Sequence, residues 1–382
     1  MRLATILIAL VMISGCISWP FGETYRTGFK EGDLTVLGNY DYYSPLVDKP
    51  EAKLSMQPGY KYNISWEVSR VYVNYGGVAK IVMENTGVND LFIYNYRVNI
   101  GNSEWKWMEE EKGIIIKKDE KKKAYMAFGA PSAPGNYDYR LSCSFMVNNL
   151  AGNLPSPKNR WYDNGTAYFS KNDINVMSYN ISSVYTSSKN YYYYFDKIND
   201  MVTFDLTIYA KAQEIILPFS GNYRNYNIFQ VCSIYDYILE NLKYTNDKEG
   251  KDVWSDPVTT LKRRGGDCED YAMLFSAFVS SIGGTARIYM TDNHAFATVY
   301  IGNSTRANEV LDDINDYYGT DLFFAVLEDK FGYWLVADPL GSFYLGGLPV
   351  GGDVVGPCND KRLYNWDFTQ TGHVNIIDIM RE

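Results

Sequence analysis

The chain has 382 residues, a formal net charge of -9 and 46% hydrophobic residues. That length allows two or three domains with ordinary packed cores, and the acidic balance speaks against a nucleic-acid partner, which needs a basic face. There are 35 tyrosines, which suit the edges of β cores, and only 2 histidines, too few for a zinc cluster.

The N-terminus reads as a targeting device. Arg2 gives a minimal positive start, Leu3 to Ile13 a short apolar run, and Ser14-Gly15-Cys16 a small-residue end. The run is shorter than the ~20 residues of a spanning helix and suits the apolar stretch of an export signal. Residues 1–16 resemble a lipoprotein signal of archaea or bacteria. The resemblance implies a lipid on Cys16 and a protein held at the outer face of the cytoplasmic membrane. A plain signal peptide or an uncleaved anchor is the alternative. Residues 17–59, with Pro20, Pro45, Pro50 and Pro58, read as a tether or irregular approach.

From Tyr62 the pattern turns to strands. Ile64, Trp66 and Val68 alternate with polar residues, and Lys80 to Glu84 stops at Asn85-Thr86-Gly87. Leu91 to Ile100 is expected to place Phe92, Tyr94, Tyr96, Val98 and Ile100 on one face. Gly113 to Ile116, Ala124 to Phe128 and Tyr137 to Val147 follow, with Lys117 to Lys123 as a solvated charged turn. Closely spaced short strands over residues 60–150 predict a β-sandwich, and the turns at Asn85 and Pro134 resemble those of immunoglobulin-like accessory domains. Residues 151–214 read as a linker with additional strands, at Tyr191–Phe195 and at Met201–Ala210, where Val202, Phe204, Leu206 and Ile208 alternate.

Helical periodicity begins after Ser220. Ile228, Val231, Ile234, Tyr235, Ile238 and Leu242 share a face, and Asp256-Pro257 opens a short helix. Asp267 then stands where it caps another helix, with Asp270 completing the reciprocal pattern. Ala272, Phe275, Phe278, Val279 and Ile282 form that helix's apolar stripe, and Gly283-Gly284 ends it. Ala286–Met290, a strand begun by His294, and Tyr333–Ala337 before Asp338-Pro339 complete an antiparallel sheet.

Cys268 falls in the first turn of the helix. There the dipole and free N–H groups are expected to lower a thiol pKa, and the preceding glycines to clear room for substrate. His294 and Asp338 supply the base and the orienting carboxylate of a Cys-His-Asp centre. The Cys268 N–H is one oxyanion donor; Gln230, Trp254 and Asn293 are candidates for the second. Cys143, Cys232 and Cys358 leave room for one disulfide, with Cys232 most simply a structural residue. His373 reads as a surface residue without partners.

Gly266-Asp267-Cys268-Glu269-Asp270-Tyr271-Ala272, His294-Ala295-Phe296-Ala297-Thr298-Val299-Tyr300 and Trp334-Leu335-Val336-Ala337-Asp338-Pro339 resemble the cysteine, histidine and aspartate motifs of the transglutaminase-like superfamily. The resemblance implies a papain-like α+β core over residues 215–345, followed by an extension over residues 346–382. It implies the nucleophile on Cys268, the base on His294 and the carboxylate on Asp338, with Tyr244 structural. The acidic insert 303–329 is longer than the family pattern and is either a helix with a lid or inert surface. Superfamily members hydrolyse amide bonds, crosslink glutamine to lysine, or serve as scaffolds. Hydrolysis of a surface protein or wall peptide is the expected reaction, with crosslinking and non-catalytic binding as alternatives. No cofactor and no metal are expected.

Overall fold

The computed structural model describes residues 28–41, 44–53, 58–106, 111–149, 160–181, 191–220, 225–247, 252–360, 362–369 and 371–381. The signal segment and Cys16 lie outside the described residues. No described helix is long and apolar enough to cross a membrane.

The front of the chain folds as two antiparallel-rich sheets over one core. Tyr62–Val68, Gly77–Asn85 and Lys121–Phe128 form the smaller sheet. The larger is built on Leu91–Ile100, Gly135–Asn148 and Trp161–Met177. Ile81, Met83 and Met126 of the first meet Val98, Leu141 and Val176 of the second in a shared apolar cluster. The strand Trp161–Met177 therefore carries this sandwich past residue 150.

One face assignment is corrected. Tyr96, Val98 and Ile100 point into the shared core, but Phe92 and Tyr94 pack on the outer side with Met146 and Trp161. Asn95 has a φ of 53° and the register with the partner strand slips beside it. A bulge of this kind inverts the side-chain alternation.

The strands expected at Tyr191–Phe195 and Met201–Ala210 are instead helices, α1 (Tyr191–Met201) and α2 (Leu206–Ile216). Asp205 caps α2 by accepting from the N–H groups of Thr207 and Ile208. Ile208, Ala212 and Ile216, spaced by four, are the buried face, while Phe204 and Leu206 are exposed. The alternation ending at Ile208 was thus a loop and a cap running into a helix.

The back half centres on α3 (Ile228–Asn241), the short α4 (Pro257–Arg263) and α5 (Cys268–Ser281). They pack on an antiparallel five-stranded sheet of β1 (Ala286–Thr291), β2 (Ala295–Gly302), β3 (Val326–Asp329), β4 (Gly332–Ala337) and β5 (Val374–Asp378), in the order β3-β4-β2-β1-β5. Ala297, Val299 and Ile301 face the helices; Phe296 and Tyr300 face the opposite side, against Trp334 and Trp366. The apolar stripe expected on α5 is exceeded, because every residue from Glu269 to Val279 is buried. The edge strand β5 lies beyond residue 345, so the extension closes the sheet. Its Asp378 binds Arg287, a guanidinium with no exposure, which also reaches Asp329.

The acidic insert holds the expected helix, and that helix is part of the core, not inert surface. This is α6 (Ser304–Tyr318), whose Val310, Leu311, Ile314 and Tyr318 enter the main core. Cys143 and Cys232 are both free thiols, buried in different cores, so the disulfide expected among Cys143, Cys232 and Cys358 does not form.

Candidate active site

Local sequence delivers Cys268 to the site. Asp256 caps α4 by accepting from the Thr259 N–H, and α4 ends at Arg264 in the left-handed region. Gly265-Gly266 then pairs in parallel with Lys243-Tyr244. A Cβ on Gly266 would stand 2.4 Å from Asp270 Oδ2. The glycine therefore makes room for an internal carboxylate, not for substrate as expected. Asp270 Oδ1 in turn accepts from the Ser255 N–H at 2.7 Å. The reciprocal cap expected of Asp267 does not form: its side chain makes no cap hydrogen bond.

His294 leads into β2 from a tight turn. Its N–H donates to Thr291 Oγ1 at 3.1 Å, and the Thr291 N–H donates to His294 O at 2.8 Å. Asp292 fastens this turn to the C-terminal segment, accepting from the Gly372 N–H at 2.6 Å and pairing with His373 Nδ1 at 2.9 Å. His373 is thus a surface residue with a partner, a tie on the turn that carries His294. The His294 ring lies nearly parallel to Phe296, with centroids 6.2 Å apart.

His294 Nε2 and Asp338 Oδ2 are 2.8 Å apart, and both side chains are buried. Asp338 is fully engaged. Oδ2 also accepts from the Val350 N–H at 2.8 Å, and Oδ1 from the Leu340 N–H at 3.1 Å. Tyr235 Oη lies 2.9 Å from the Asp338 carbonyl oxygen. The loop carrying Val350 comes so close that a Cβ on Gly341 would stand 2.7 Å from Val350 N. The front domain holds that loop from the other side: Arg70 donates to the carbonyls of Leu348, Pro349 and Gly352 at 3.1, 2.9 and 2.6 Å.

The sulfur of Cys268 accepts from the Ala295 N–H, beside His294, so helix start and strand start meet. Its thiol also points at Glu269 Oε2, 3.3 Å away. Burial and then the Glu269 charge push the Cys268 thiol up to about 12. The expected lowering by the helix dipole is overridden, because the half-charge of a helix end is outweighed by desolvation and a full carboxylate. Burial likewise raises Glu269 to about 8 and Asp270 to about 6.

The oxyanion candidates are placed as follows. Gln230 is buried at the start of α3, its Nε2 donating to Phe219 O at 3.2 Å and its Oε1 accepting from the Asn227 N–H. Trp254 donates to Asp252 Oδ1 at 2.8 Å and stacks on Tyr194. Asn293 is exposed in the turn before His294. Sequence reading missed Glu269, Val350 and Arg70. Glu269 stands inside the quoted motif, but nothing local shows that it faces the thiol. Tyr244, read as structural, is half exposed with its hydroxyl in the field of Cys268 and Asp267.

Residues 219–339 match the family model described as the transglutaminase-like superfamily. This segment is a transglutaminase-like domain. It contains α3 to α5, the His294 turn and Asp338. No curated protein matches the chain. Among solved structures, the CARDB domain of the PF1109 protein from Pyrococcus furiosus, in complex with di-metal ions, aligns at 14% identity over 35% of this chain and 99% of that one, with a TM-score of 0.18. A candidate protease from Parabacteroides distasonis aligns at 11% identity over 61% and 65% of the two chains, with a TM-score of 0.24. A candidate cysteine protease from Cytophaga hutchinsonii aligns at 12% identity over 84% and 94%, with a TM-score of 0.24.

Proposed function

We propose that the protein is a thiol hydrolase of peptide or amide bonds, working at the cell surface on a protein or peptide and tethered through a lipid on Cys16. The observation that carries this reading is the buried His294–Asp338 pair at 2.8 Å, with the Cys268 sulfur held by the N–H of the next residue, Ala295. With Nε2 turned to Asp338, Nδ1 is the ring nitrogen left for the thiol. Cys268 attacks the carbonyl carbon as its proton passes to His294 Nδ1. The proton then goes to the leaving amine, and water resolves the thioester. Asp338 fixes the tautomer and supports the imidazolium. The Cys268 N–H serves the oxyanion. An amine resolving the same thioester would give crosslinking. The front sandwich fits an immunoglobulin-like accessory domain in this reading.

A second reading, non-catalytic binding, draws on the neutral thiol held by Glu269. One experiment separates the three. The purified protein is incubated with a peptide mixture, with and without a primary amine, and products are read by mass spectrometry beside Cys268→Ala and His294→Ala. New peptide termini that both variants abolish support hydrolysis. Amine adducts move the assignment to crosslinking. Absence of either product, with Cys268 alkylation indifferent to His294→Ala, overturns the enzyme. Detergent-phase partition lost in Cys16→Ala tests the tether.

A further inference from the structure

A cleft of about 430 Å³ lies where the front sandwich meets α6, and none of Cys268, His294 and Asp338 lines it. That volume is in the range of small-molecule sites, which favour domain boundaries. Its walls come from distant parts of the chain. Trp105, Lys106, Lys112 and Phe128 belong to the sandwich, while Asp316, Asp321 and Phe323 belong to α6 and the segment after it. The Ala127 N–H donates to Thr320 Oγ1 at 2.9 Å and joins the two walls. Aromatic rings line the cleft. Trp105 and Phe128 have centroids 6.3 Å apart, and Tyr75 meets Phe323 edge-on at 5.6 Å. A Cβ on Gly129 would stand 2.4 Å from the indole nitrogen of Trp105, so the backbone there yields its space to that ring.

The polar groups of the lining fall into two sets. Thr320 and Asn315 are used inside the protein, Asn315 Oδ1 accepting from the Leu322 N–H at 2.9 Å. Asp316, Asp321 and Lys106 are not: among the described residues, none of the three makes an ion pair or a side-chain hydrogen bond. A lone surface charge needs no partner in water. What distinguishes these is that opposite signs line one cleft, on opposite walls, without closing on each other. Asp316 is half-buried, and burial and then the charge of Asp312 raise its carboxyl, the direction expected where no cation offsets it.

We infer that this cleft binds a short peptide by its two free ends, the ammonium on Asp316 and Asp321 and the carboxylate on Lys106, with an apolar side chain against Trp105 and Phe128. A molecule with opposite charges at its ends and an apolar body complements such walls. Two or three extended residues span about 7–11 Å, the scale of this cleft. The inference stands apart from the enzyme reading, because no step of that chemistry uses this lining.

The test is titration calorimetry with the peptide Ala-Phe-Ala on full-length protein carrying Cys268→Ala, so that turnover cannot consume the probe. Saturable binding is expected. It should weaken about threefold to tenfold in Asp316→Asn combined with Asp321→Asn, and by a similar factor in Lys106→Gln. Acetylating the peptide's amine should cancel the effect of the aspartate pair, and amidating its carboxyl the effect of Lys106→Gln. Lys106 and Asp321 are exposed and Asp316 is half-buried, so the variants should melt near the parent, which thermal denaturation checks. Absence of saturable binding to protein that melts as the parent does overturns the site. So does binding that the variants change by less than about twofold, or that blocked and free peptides share equally, since either places the peptide elsewhere. Loss of peptide turnover in the enzyme experiment leaves this binding standing, and the reverse also holds.

Discussion

The two sides of the candidate site treat negative charge in opposite ways. On one side Asp338 is buried and fully provided for, with His294 Nε2, the Val350 N–H and the Leu340 N–H all donating to its oxygens. On the other side oxygens of Asp247, Asp252 and Glu269 lie within 4.8 Å of one another, and Asp267 and Glu269 stand in each other's field beside Cys268. The first side is organised before anything binds. The second has its carboxyls raised by burial, Glu269 to about 8, and it keeps the Cys268 thiol protonated at rest. Orientation is built into the fold, whereas burial and the neighbouring carboxyls oppose the thiolate.

Four changes sharpen or break this comparison, taken from the largest effect down. Cys268→Ala removes the attacking atom, and peptide turnover read by mass spectrometry is expected to vanish while the melting temperature stays near that of the parent. Asp338→Asn keeps the shape of the ordered side but disturbs the imidazole tautomer; turnover should fall by about 10³–10⁴-fold. A loss below tenfold would mean that the ordered side is merely structural.

Arg70→Ala frees the loop of Val350 from the front domain. Slight misplacement of a catalytic group is expensive, so turnover should drop by about tenfold to a hundredfold, with partial recovery in Arg70→Lys. Unchanged turnover would show that the loop holds Asp338 without help from the sandwich.

Glu269→Gln acts on the other side and in the opposite direction. Removing a carboxylate that raises the thiol lowers its pKa from about 12, and because Glu269 itself ionises at about 8 the thiolate fraction increases mainly above that pH. Iodoacetamide labelling of Cys268 at about pH 9, where Glu269 is ionised, should speed up by roughly threefold to tenfold, with little change at about pH 7. Labelling that slows instead would place Glu269 among the groups that activate the thiol.

Much of the fold was legible because strong local patterns mark it. Ile228 to Ile238 repeats at helical spacing, and those residues are buried on α3. Strand alternation failed where one backbone torsion changed it: Asn95, with φ at 53°, turns Phe92 and Tyr94 away from the core. It failed again at Asp205, whose side chain caps α2 inside what looked like a strand. Cap patterns also misled. Asp267 and Asp270 have the spacing of a capping pair, but burial directs Asp270 to the Ser255 N–H and leaves Asp267 facing other carboxyls.

The sequence by itself determined the residue types of the site and the elements that carry them: a cysteine opening a helix, a histidine before one strand and an aspartate after another. Those assignments rest on patterns that act within a turn of helix or a few strand residues. Only the tertiary structure decided the electrostatics. His294 reaches Asp338, and Arg70 clamps the Val350 loop, from segments far apart in the chain, whereas the carboxyls that raise Cys268 flank it in sequence and act because the fold buries them. A pKa follows from burial and from every charge within a few ångströms, and neighbours in space are set by how the sheets and helices pack.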